Sequence, residues 1–181
     1  MASHIASLIM EAMNAECCQN FAGPKHTLVD FHRMMTRLVE MEDSQYSYRN
    51  VLAAYTSSGI LAGICVAYDG AKLHQLRRRF YEAALEAFGI DYTGMTDETE
   101  DGEFYIDSLA VSSNFRGKGI ASQLLLATIE RGVELGIPTV GLLVDKGNPK
   151  AEALYQRLGF VYVNDSTWGG HPMRHLQYKQ N

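Results

Sequence analysis

The chain has little cysteine, no long apolar run and no excess of basic residues, and each shortage removes a class of answer. Three cysteines in 181 residues, two of them the adjacent Cys17 and Cys18, supply no disulfide framework. Cys65 falls in a strand-like run where a small apolar residue fits, so a reducing, cytoplasmic setting is expected. No apolar stretch approaches the ~20 residues a membrane-spanning helix needs. The amino-terminal segment carries Glu11 and Glu16, with no basic region ahead of its apolar residues, so no signal peptide is expected either. A formal charge of −5 argues against nucleic acid as a partner, because that binding depends on clustered lysine and arginine. Two phosphate-binding patterns are missing: the four-residue spacer before Gly-Lys-Ser/Thr, and Gly-x-Gly-x-x-Gly. Repeats and low-complexity tracts are also absent.

What is present suits one domain over residues 1–181 with a substantial core, since 46% of the residues are hydrophobic. The most informative stretch is Asn114 to Ser122. Before it, Glu103 to Val111 reads as a strand; after it, Ala121, Leu124, Leu125, Thr128, Ile129 and Val133 recur at helical spacing as far as Gly136. A helix start carries unpaired N–H donors and a partial positive charge, and Gly117 and Gly119 let a ligand come close. The turn therefore reads either as an anion site or as an ordinary tight connection.

In the strand, Phe104 and Ile106 share one parity and Leu109 and Val111 the other. Either a β-bulge near Asp107 or Ser108 shifts the phase, or the strand is buried on both faces. Downstream, Asn148-Pro149 followed by Ala151, Leu154, Tyr155 and Leu158 is a capped helix stopped by Gly159. By itself Tyr155 reads as a packed aromatic.

Together these pieces resemble the GNAT (GCN5-related N-acetyltransferase) superfamily. Arg116-x-x-Gly119-x-Ala121, after a strand ending Leu109-Ala110-Val111, matches the family's pyrophosphate motif. Asn148, Ala151, Tyr155, Gly159 and Phe160 match its second cofactor-contacting segment. The likeness runs from about Glu103 to Tyr178. It implies an α/β (α+β) fold whose mixed, mostly antiparallel sheet has helices on both faces and splits between its fourth and fifth strands to admit acetyl-CoA as co-substrate.

In chain order, Ile5, Leu8, Ile9, Ala12 and Met13 predict one helix ending before Gly23-Pro24. Thr27 opens a second, with Asp30 as its capping-box partner. Family members usually begin with a strand, and almost nothing precedes His4, so that strand is expected to be missing. Val51 to Tyr55 and Ile60 to Tyr68 predict a hairpin. Residues 71–102 form an insertion: a helix over Ala71 to Phe88, whose Arg77, Arg78 and Arg79 read as a solvated face, then an acidic stretch. That stretch, with Asp91, Asp97, Glu98, Glu100 and Asp101, reads more readily as a hydrated loop than as a site for a cationic substrate. Thr139 to Val144 predicts a parallel strand, and Phe160 to Val163 with Met173 to Tyr178 a final antiparallel pair. His171 and His175 lie four apart in a strand, a spacing that does not converge on a metal, so no metal is expected.

The resemblance implies transfer of an acetyl group to a primary amine by direct attack in a ternary complex. Leu109, Ala110 and Val111 would face the pantetheine arm, with Leu109 and Val111 pairing through their backbones. Arg116, Gly117, Lys118, Gly119, Ile120, Ala121 and Ser122 would hold the pyrophosphate, and Asn148, Ala151 and Tyr155 would complete the cofactor site. The ammonium must lose a proton, for which Asp107 is the candidate, with Glu103 or a water chain next; the thiolate must regain one, for which Tyr155 is the candidate. A small-molecule amine is favoured over a protein acceptor, and a monomer or homodimer is expected. The second helix, Tyr46, Tyr48, the acidic stretch and the Trp168 to His171 loop are candidate acceptor walls. A noncatalytic acyl-CoA sensor or interaction module is the alternative reading.

Overall fold

The computed structural model describes residues 1–180. The predicted first helix is two: α1 (Ala2–Met13) and α2 (Ala15–Ala22). They break at Asn14, whose φ of 70° no helix continues. Its side chain caps the second helix instead, Oδ1 accepting from Cys17 N at 2.9 Å. In α3 (Leu28–Glu40) the capping box forms as read, Thr27 Oγ1 accepting from Asp30 N while Asp30 Oδ2 accepts from Thr27 N. Such a cap stabilises by about 1 kcal/mol.

Strands β1 (Val51–Tyr55) and β2 (Leu61–Asp69) make the expected hairpin. There follow α4 (Leu73–Phe88), β3 (Phe104–Val111), α5 (Ile120–Glu134), β4 (Thr139–Asp145), α6 (Pro149–Arg157), β5 (Val161–Trp168) and β6 (His171–Lys179). The last two strands run farther toward their shared turn than the apolar pattern suggested, because Asn164 to Thr167 pair although they are polar. The sheet order is β1-β2-β3-β4-β6-β5, and only β3 and β4 are parallel. No strand lies outside β1 among the described residues.

The sheet divides the core because side chains alternate along β2. Ile64 and Val66 pack with α1 to α4 on one face, while Cys65 and Ala67 pack with Leu124, Leu125 and Ile129 of α5 on the other. Each fully buried aliphatic side chain there contributes about 1.5–3 kcal/mol. With helices on both faces, the line where neighbouring strands part offers a place for a ligand.

Candidate functional site

That place follows from one extra residue. Across β2 and β3, Val66 faces Ser108 but Ala67 faces Ile106, so Asp107 is a bulge in β3. The strand upstream of it is buried on both faces, so the two readings of its pattern hold together. A bulge bends its strand, and the parallel ladder with β4 ends at the pair Ile106 and Leu142. Beyond it, residues 107–111 have no β4 partner, and a cleft of about 300 Å³ opens.

Ser108 and Leu109 line one wall, Leu143 to Asp145 the other, and Asn148 at the N-cap of α6 joins Ala151 and Tyr155 of that helix in the lining. Met13, Asn14 and Cys17 come from the α1–α2 break, and Trp168 and His171 from the last hairpin. The structure thus brings together Asp107, Leu109, Asn148, Ala151 and Tyr155 in one cleft. Ala110 turns its side chain away into the helix-lined core.

Arg116 to Ser122 lie outside this cleft's lining. Arg116 borders a neighbouring groove with Ser113 and is held there, its Nε donating to Val111 O at 3.0 Å and its Nη2 to Glu11 at 3.3 Å. Gly117 and Gly119 have φ of 74° and 78°, the left-handed region that a glycine tolerates best. The space where their Cβ atoms would point is open. Among the described residues, the N–H groups of Gly117 to Ser122 have no backbone acceptor, and α5 begins without a side-chain cap. These donors fit a phosphate.

Asp107 is half-buried and well partnered. Oδ2 accepts from Tyr68 Oη at 2.8 Å and from Gln45 Nε2 at 3.1 Å, and Oδ1 from Ser108 Oγ at 2.9 Å. Burial raises its pKa, and those hydrogen bonds oppose the rise. Tyr155, edge-on to Phe160 at 5.9 Å, has its phenol held protonated by burial and then by nearby Cys65. At Asn148, Oδ1 accepts from Ala151 N at 3.2 Å, which fixes the start of α6 beside the cleft.

Two residues in and behind the cleft wall, Glu98 and Arg77, differ from the sequence reading. Arg77 is buried, with Nη1 donating to Glu98 Oε2 at 2.7 Å and Nη2 to Asp97 Oδ1 at 2.6 Å. The acidic stretch is therefore not merely hydrated: Glu98 lines the cleft, 6% exposed. Burial and the negative Asp107 push the Glu98 carboxyl up to about 7, against the pull of Arg77. A signal existed, since Arg77 falls four residues after Leu73 and three before Phe80, on the apolar stripe of its helix.

Other candidates lie elsewhere. Glu103 borders an adjoining recess, its oxygens taken by Thr99, His175 and Gln177 at 2.8, 2.6 and 2.7 Å. Tyr46 is a buried core residue beside Phe80, and Tyr48 is half exposed with its hydroxyl on Glu42. Neither lines the cleft.

The profile of the acetyltransferase (GNAT) family matches residues 34–160. An N-alpha-acetyltransferase, MAK3, from Arabidopsis thaliana is 40% identical over 67 residues, 37% of this chain and 35% of that protein. A mycothiol acetyltransferase from Propionibacterium freudenreichii subsp. shermanii is 36% identical over 78 residues, 42% of this chain and 24% of that protein. The matches thus span about a third and a quarter of those relatives. A crystal structure described as an acetyltransferase superposes with a TM-score of 0.80 at 26% identity, covering 98% of this chain and 94% of the other.

Proposed function

The chain belongs to the acetyltransferase (GNAT) family, and from that premise we propose that it moves an acetyl group from acetyl-CoA to a primary amine, a small molecule rather than a protein. The observation that carries the reading is the bulge at Asp107, where β3 leaves β4 and a cleft opens beside the uncapped start of α5. Acetyl-CoA would supply an activated acyl thioester. The N–H groups of Gly117 to Ser122, with Arg116 and Lys118 near them, would grip its diphosphate through hydrogen bonds and the helix dipole. The unpaired edge of Leu109 to Val111 offers peptide groups to an extended arm, as a sheet edge does to a strand. Asn148 and Ala151 would line the far side.

Asp107 would take the amine's proton, directly or through water. Its raised pKa brings the carboxylate nearer to that of an ammonium group, which eases the transfer. Tyr155 stays protonated and so can return a proton to the departing thiolate.

The reading is tested by thiol release from acetyl-CoA across a panel of primary amines, with coenzyme A binding followed by calorimetry. Release with at least one small amine is the expected result. Tight coenzyme A binding without release from any acceptor would replace the enzyme with a sensor.

A further inference from the structure

One of the three side chains that donate to Asp107 has a free end. Gln45 lies between α3 and β1, 62 residues away in sequence, and its Nε2 donates to Asp107 Oδ2 at 3.1 Å. The residue is 3% exposed, and its Oε1 is buried without a partner. An amide oxygen enclosed without a donor is costly, so the single bond to Asp107 decides which way the amide points. The main chain beneath it is fixed. Asn50 Nδ2 donates to the carbonyls of Ser44 and Gln45, each at 3.1 Å, and Ser47 N donates to Ser44 O at 3.1 Å. A pinned backbone therefore carries an amide tied at one end only, free to turn over in place.

The other two donors, Tyr68 Oη and Ser108 Oγ, are hydroxyls that can both give and accept through one oxygen. An amide divides those roles between its ends. Its N–H₂ suits an ionised carboxylate, and its carbonyl suits a protonated one.

We propose that Gln45 is a positioning residue for Asp107, its amide presenting N–H₂ while the carboxylate is charged and its carbonyl once the carboxyl has gained a proton; this rests on the reading of Asp107 as the base. As the ammonium N–H bond breaks, the electron pair stays on nitrogen and the proton passes to Asp107. The new O–H then donates to Gln45 Oε1 after the amide turns, while Tyr68 still donates to the same carboxyl. Loss of the proton to solvent water restores the first orientation. Without the turn, the new O–H would face an N–H₂ and the amide oxygen would stay unmatched.

The charged and titratable groups that bear on Asp107 are Arg77 of α4, Glu98 ahead of β3, Tyr105 of β3, Cys65 and Tyr68 of β2, and Tyr46 next to Gln45. Glu11, Asp145, Tyr155 and His171 share the cleft with it. Against this background, each donor to the charged form holds the Asp107 pKa down, and removing one raises it.

The experiment follows the Asp107 carboxyl by carbon-13 and the Gln45 side-chain amide by nitrogen-15 as the labelled full chain is titrated with acid. Both signals should move with one midpoint. Gln45→Met keeps the length of the side chain and neither polar end, so the Asp107 midpoint should rise by about one pH unit, the worth of a hydrogen bond to a charged group. Gln45→Glu should raise it further, because two carboxyls in contact resist ionising together. Tyr68→Phe should raise it while the Gln45 amide still responds. The acid limb of kcat with a small primary amine should shift by the same amount in each variant. An amide signal that stays still while Asp107 titrates, or an unchanged Asp107 midpoint in folded Gln45→Met, would overturn the proposal. A midpoint that moves while the acid limb stays would overturn Asp107 as the base and leave its coupling to Gln45 assigned.

Discussion

Arg77 donates to Glu98 at 2.7 Å with 2% and 3% of the two side chains exposed, so a charge pair drawn from an insertion forms one boundary of the site. The same guanidinium donates to the carbonyls of Thr96 and Met95 at 3.1 and 3.3 Å, which pins the segment leading into β3. Removing one partner of a buried pair strands the other charge, at about 3–5 kcal/mol. Arg77→Ala should therefore lower the urea midpoint by a corresponding amount, and Arg77→Lys should recover only part of it, lacking the planar fork. A change under about 1 kcal/mol in Arg77→Ala would show that the pair does not hold the segment.

Stability should also fall as pH rises through the range in which Glu98 titrates. In the folded protein this carboxyl holds its proton up to about 7, whereas its ordinary value is 4.5. Between those values the folded state binds more protons than the unfolded one, so stability is lost on going up in pH, by about 3 kcal/mol at most. The raised Asp107 acts in the same direction. Urea midpoints at pH 5 and pH 7.5 measure the slope, and Glu98→Gln should flatten most of it.

Tyr155→Phe removes the phenolic proton and little else, since the ring keeps its contact with Phe160. Turnover should drop by about a hundredfold, the lower end for general acid catalysis, while coenzyme A affinity stays within about twofold. Steady-state rates with calorimetry separate the two, and unchanged turnover would reject the role.

Asp107→Asn should slow the reaction most at low pH, where free amine is scarce and a base matters most. Asparagine can still accept from Tyr68 but presents an N–H₂ where the second carboxylate oxygen was. A pH–rate profile parallel to that of the unaltered enzyme would send the proton elsewhere.

Gly119→Ala tests the loop. A side chain at φ 78° is disfavoured by roughly 1–2 kcal/mol, although space is open for the methyl group. The alanine should weaken coenzyme A by about tenfold as the N–H groups lose their alignment. Calorimetry showing full affinity would place the diphosphate away from this turn.

Local patterns along the chain determined a good deal. The capping box at Thr27, the hairpin, the parity slip at Asp107 and the Asn148-Pro149 start of α6 each depend on residues within a few positions of one another, so they are legible in order. The glycine turn after Val111 is local in the same way, and the family likeness rests on such pieces. Tertiary structure alone decided that Asn14 breaks the first helix, that Arg77 pairs with Asp97 and Glu98, and that Glu98 lines the same cleft as Asp107. Charge patterns read one residue at a time favour solvent, because isolated charges are costly to bury; only folding brings the partners that offset this cost. The outline of the cleft and of the glycine turn was therefore written in short-range spacing, while the partners that hold Arg77 and Glu98 came from long-range pairing.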